Sequence, residues 1–104
     1  LPLPVDYIAA AVGTWMLGTL NGALEVRQVS LAGNAISATV EGINEIVDRI
    51  PTLTELRVHY RLRIPAGTRE VVDRALASHQ SKCPSAQSLA AAVRISWTAD
   101  VTEE

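Results

Sequence analysis

The chain has 104 residues, of which 48% are hydrophobic and 19% charged. That balance excludes a disordered segment as the default and fits a single domain. The net charge of −2 supplies no basic field for a phosphate backbone, so no nucleic-acid partner is expected.

There is one cysteine, Cys83, so the 104 residues can close no internal disulfide. A zinc site needs four ligands, and the only nitrogen candidates are His59 and His79, so no metal or other cofactor is expected. Leu1-Pro2-Leu3-Pro4 lacks the basic start and cleavage pattern of a secretory signal. With the lone thiol, this sets a cytoplasmic expectation.

The first element is a helix from about Pro4 to Gln28. Pro4 suits a first helical turn, and Asp6 complements the positive end of the dipole. From Tyr7 to Leu24 no residue is charged, a run of 18. This touches the length of a membrane span, but Gly, Thr and Asn interrupt it and amphipathic elements follow, so no membrane partner is expected. A helix that is apolar on every side is buried on every side. Thr14, Gly18 and Gly22 form a stripe of small residues that lets another backbone come close. The alternative is that Asn21-Gly22 ends the helix early.

A strand follows over 34–41, leaving at Gly42. Residues 43–52 are ambiguous and stop at Pro51. The clearest strand is next: Leu56, Val58, Tyr60, Leu62 and Ile64 alternate with Arg57, His59, Arg61 and Arg63. The basic side of that strand reads as a solvated face balanced by Glu41, Glu45 and Glu55. Thr68 can cap a helix of about 69–81 that lines up Val72, Ala75, Leu76 and His79. Cys83-Pro84 starts a short helix to about Ala92, and a last strand covers 93–99.

The order helix, strand, strand, helix, helix, strand is α+β. Its three strands cover one side of the first helix. Nothing else in the chain is apolar enough to cover the other side, so a homodimer through the central helices is expected. Cys83 is the one residue with candidate chemistry. It sits at a predicted helix cap beside Lys82, with His79 one turn back; the alternative is an inert buried thiol.

The stretch from Val72 to Ser85, with Cys83-Pro84, then Leu89 and the strand Val93-Arg94-Ile95-Ser96, resembles the C-terminal half of the OsmC/Ohr family. These are the osmotically inducible and organic-hydroperoxide-resistance proteins. The opening Pro4-Val5-Asp6-Tyr7-Ile8-Ala9-Ala10-Ala11-Val12 is similar to the start of that family's long central helix. The resemblance implies an OsmC-like α+β homodimer. It also implies a peroxidase cycle in which a cysteine of the central helix becomes a sulfenic acid and a second cysteine resolves it.

On that alignment Trp15, with Met16 beside it, stands where the attacking cysteine is expected, and Cys83 matches the resolving position only. The strands that usually precede the family's central helix, and the assisting arginine and glutamate, have no counterpart in these residues. One OsmC-like domain over 1–104 is therefore expected, without dithiol peroxidase activity. Two alternatives stand beside it. One is a dimeric module holding a small apolar or hydroperoxide ligand near Trp15 and Met16. The other is a one-cysteine peroxidase using Cys83.

Overall fold

The uncharged opening becomes one continuous helix, α1, Pro4–Val26, in a computed structural model that describes residues 3–104. Asp6 caps it by accepting the Leu3 N–H at 2.7 Å. Asn21-Gly22 does not end it. The end is made by Gln28, at φ 63°, which turns the chain so that the Gln28 N–H reaches the Glu25 carbonyl and the Val29 N–H the Leu24 carbonyl, both at 2.9 Å. The turn also buries Val29 beside Leu24, the apolar contact that accompanies this kind of helix stop.

The ambiguous residues 43–52 are the far half of a long hairpin. Strand β1, Ile36–Val47, pairs antiparallel with β2, Ile50–Ile64, through a two-residue turn at Asp48-Arg49. Both turn residues have positive φ, 50° and 67°, the conformation that matches strand twist in a tight hairpin. Pro51 does not end the strand. It pairs with Ile46 in a stretch where β2 has a neighbour on one side only, because the third strand reaches no further than Glu55. At such an edge a missing N–H costs the ladder nothing.

The chain then crosses over the sheet through α2 (Arg69–His79), a 3-10 turn at Gln80–Lys82 and α3 (Pro84–Leu89). It returns as β3, Arg94–Glu103, parallel to β2. The sheet order is β1-β2-β3. The crossover length follows from parallel pairing, which a tight turn cannot make.

The inner face of β2 supplies Leu56, Val58, Tyr60, Leu62 and Ile64 to the core. Helix α1 lies over them and packs on β1, α2 and α3, with Val12, Met16, Leu20 and Leu24 inward at helical spacing. Gly13 marks its closest approach to the sheet, since a Cβ there would collide with Val40 Cγ2.

The expectation of a helix buried on every side does not hold within one chain. Tyr7 is 64% and Trp15 53% exposed on the other face. Three strands and two short helices have area for one side only. No helix among the described residues is long and apolar enough to cross a membrane.

Candidate functional site

The residues with chemistry meet where the crossover touches the sheet. Helix α2 has a single apolar stripe, and His79 falls on it at the last turn, after Val72, Ala75 and Leu76. The stripe faces the sheet, so His79 is carried into the core at 0% exposure. On β2 the inward parity brings Tyr60 beneath it, and on β3 it brings Trp97. The His79 ring stands edge-to-face between them, with centroids 5.3 Å from Tyr60 and 5.4 Å from Trp97.

Hydrogen bonds and burial set the state of His79. Its Nδ1 lies 2.6 Å from the Leu76 carbonyl, which only accepts, so Nδ1 carries the proton. Its Nε2 lies 2.9 Å from the Tyr60 hydroxyl, which can donate or accept. Full burial favours the neutral ring, and in that state Nε2 accepts from the hydroxyl. Burial pulls the His79 pKa below its ordinary value, partly offset by the Leu76 carbonyl. Burial likewise pushes the Tyr60 hydroxyl far above its ordinary value, and the neighbouring Cys83 adds to the rise.

Cys83 follows the 3-10 turn and occupies the cap position of α3, with φ −86° and ψ 116°. Its N–H donates to the Gln80 carbonyl at 3.2 Å, and its carbonyl accepts the Gln87 N–H at 3.0 Å. The sulfur makes no capping bond to the helix backbone. Sγ instead lies 3.5 Å from the Ser85 hydroxyl, and the residue is 0% exposed. The structure thus gathers Cys83, Tyr60, His79 and Trp97.

Trp15 and Met16 are not brought together. Met16 points into the core at 0% exposure, while Trp15 points outward. Thr14 is exposed beside it, and a Cβ on Gly18 or Gly22 would meet nothing within 4 Å. An open groove of about 420 Å³ runs along the other flank of α1, between Val5, Ala9, Gly13 and Leu17 and the β1 residues Val40 and Asn44.

The basic side of β2 is dispersed over the outer face of the sheet. Arg57 pairs with Glu55 at 3.0 Å and Glu41 at 3.4 Å, and Arg63 with Glu104 at 3.7 Å. His59 bridges Thr98 and Asp100 at 2.6 and 3.1 Å. Glu45 accepts from Thr54 instead of balancing an arginine. The Arg57 guanidinium, with Arg94 beside it, holds the Glu55 carboxyl below the ordinary carboxylate value. Arg57 and Arg63 are thus ion-paired on a solvated face.

The Tyr60–His79 bond was not legible in the sequence. The alternation of β2 and the stripe of α2 put each residue on an inner face, but only the packing angle of α2 on the sheet brings their side chains together. The alternation did carry the signal that a polar residue at each of two core positions needs a partner.

The fold agrees with the comparisons. A hypothetical protein from Aquifex aeolicus is similar in structure at a TM-score of 0.80, with 12% identity over 98% of this chain and 75% of that one. An organic hydroperoxide resistance protein OsmC from Legionella pneumophila gives 0.74, with 16% identity over 93% of this chain and 68% of that one. An organic hydroperoxide resistance protein from Elizabethkingia anophelis gives 0.73, with 17% identity over 99% and 69%. No curated protein matches the sequence. At these identities the structural likeness shows the fold alone. The family model of OsmC-like proteins matches residues 1–98. The chain belongs to the OsmC-like protein family.

Proposed function

We propose that this chain is a redox-family OsmC-like protein that retains a resolving-type thiol, Cys83, and does not run the dithiol reduction of organic hydroperoxides. One observation carries the reading: the single cysteine of these residues, Cys83, is 0% exposed. The resemblance supports it by putting Trp15 where the family's attacking cysteine is expected. A peroxidase cycle needs a thiolate open to the peroxide, which becomes a sulfenic acid, and a second thiol that closes the disulfide. Here the second thiol has no first one to resolve.

The 104 residues act as one OsmC-like domain, and the domain works as a homodimer. The support is the outer face of α1, where Tyr7, Ile8 and Trp15 are exposed beside the small residues Thr14, Gly18 and Gly22. A large apolar patch bordered by small residues fits a second helix better than it fits water. A single unpaired thiol suits the cytoplasm.

The test is turnover of cumene hydroperoxide with dithiothreitol or a dihydrolipoyl donor. The expected rate does not exceed that of the free thiol donor alone. Robust turnover lost in Cys83→Ser would overthrow the reading and make the chain a one-cysteine peroxidase.

A second reading, a non-enzymatic module for a small apolar ligand, is favoured by the groove between α1 and β1. Its site would be that groove and not a pocket at Trp15 and Met16. Ligand-dependent shifts of Val40 and Gly13 amide resonances would support it.

A further inference from the structure

Beside the Tyr60 hydroxyl and the Cys83 thiol, His79 is the one buried polar side chain among the described residues, and it stands at a junction. It ends α2, begins the 3-10 turn and touches both β2 and β3 through Tyr60 and Trp97. Both ring nitrogens are already committed, one as donor and one as acceptor. A second proton on Nε2 would turn the acceptor into a donor. The Tyr60 hydroxyl would then have to reverse, and its own proton would lose its acceptor.

Nothing in the surroundings compensates the charge. From β2 the facing group is the Tyr60 hydroxyl, from β3 the Trp97 ring and from α2 the Leu76 carbonyl; the Cys83 thiol neighbours Tyr60. The buried residues of α1, Val12, Met16, Leu20 and Leu24, carry no charge. A buried imidazolium without a carboxylate is costly enough that the protein opens or the proton stays off.

We propose that the Tyr60–His79 pair is an acid-released latch that fastens the corner after α2 to the sheet, and that protonation of His79 frees the corner and uncovers Cys83. The corner is built for local opening. Between His79 and Leu89 there are only a three-residue turn and a six-residue helix. Its other side-chain tie to the sheet is the Gln80 side-chain amide donating to the Ile95 carbonyl at 2.9 Å. Short elements with few anchors open at lower free energy than a central helix and strand. Cys83 moves with the corner because its N–H is bound to Gln80.

The sign follows from linkage. The closed form holds His79 neutral below its ordinary pKa, so the open form binds one more proton in that window. The stability of the closed form is therefore full above about pH 6.5 and falls progressively as the pH drops below it.

The test is labelling of Cys83 by 4,4′-dithiodipyridine, a disulfide that reacts with thiols in acid, from about pH 7.5 to about pH 5. Rates are divided by those of a free-thiol peptide at each pH, and far-UV circular dichroism is followed in parallel. One-proton opening predicts that corrected labelling rises by up to about tenfold per pH unit below the histidine range while the dichroism stays native. His79→Gln keeps an amide of similar reach that does not titrate, and its corrected rate should be flat.

If that variant does not fold, the wild-type His79 ring resonances supply the same test. Their titration midpoint must coincide with the labelling midpoint. Wild-type labelling that stays flat while His79 titrates, a rise accompanied by loss of dichroism, or the same rise in folded His79→Gln would each overturn the latch. The labelling uses no hydroperoxide, so its outcome is independent of peroxidase turnover.

Discussion

The two faces of α1 are made of similar residues and meet different fates. Inward, Val12, Met16, Leu20 and Leu24 repeat every four residues and are closed off by the sheet, α2 and α3. Outward, Tyr7, Ile8 and Trp15 are as apolar but stay largely exposed. Composition made both faces equivalent. The contrast teaches that an apolar residue reports a need for cover, while the size of the remaining fold decides whether that cover comes from the same chain. One sheet and two short helices cover one face of a 23-residue helix.

The largest expected effect tests the inward side. Leu20→Ala removes a side chain at 0% exposure and should cost about 2–5 kcal/mol in denaturant unfolding. A loss no larger than that of an outer-face alanine would erase the contrast.

Next is Tyr60→Phe, which leaves the buried Nε2 of His79 without its donor. The expected loss is about 1–3 kcal/mol at neutral pH, measured the same way. In this variant protonation of His79 no longer breaks a bond, so the acid-side fall in stability below about pH 6.5 should be shallower than in wild type.

The glycines sharpen the comparison further. Gly13→Ala drives a Cβ into Val40, an overpacking of about 1–3 kcal/mol against a helix gain of roughly 1, so it should be net destabilising. Gly18→Ala meets nothing in the chain and should leave the folded chain unharmed or more stable by up to about 1 kcal/mol, while weakening self-association.

The smallest effect on folding belongs to the outer face. Trp15→Ser should change chain stability by about 0.5 kcal/mol or less, as for exposed sites generally, yet shift sedimentation toward monomer. A wild type that sediments as a well-folded monomer would remove the dimer from the account.

The sequence made most of the elements readable, for reasons that can be named. The alternation from Leu56 to Ile64 and the stripe ending at His79 are periodic signals that survive any packing. Cys83-Pro84 marked a helix start because proline fits there and not inside a helix.

The misses are places where tertiary context overrides local signals. Asp48-Arg49 adopts positive φ without a glycine, so nothing announced the hairpin turn. Pro51 is tolerated because β2 has a free edge there, which depends on where β3 stops. Gly18 and Gly22 mark a stripe for close approach, but within the chain the close approach is at Gly13, whose small partner at helical spacing, Ala9, lies in an alanine run that sets no stripe apart. At the candidate site, the individual residues were on the correct faces, and the hydrogen bond joining Tyr60 to His79 was set by the angle at which α2 crosses the sheet.

On the proposed function, this OsmC-like chain keeps Cys83 closed and has no thiol that attacks peroxide. The most direct test is the redox state of Cys83 after a hydroperoxide challenge. Native protein is held with excess cumene hydroperoxide at neutral pH, then denatured, alkylated and weighed intact. Every chain is expected to take up one alkyl group at Cys83, with no hydroperoxide consumed. A Cys83 found as sulfenic acid or as an intermolecular disulfide, with hydroperoxide consumed in proportion, would contradict it.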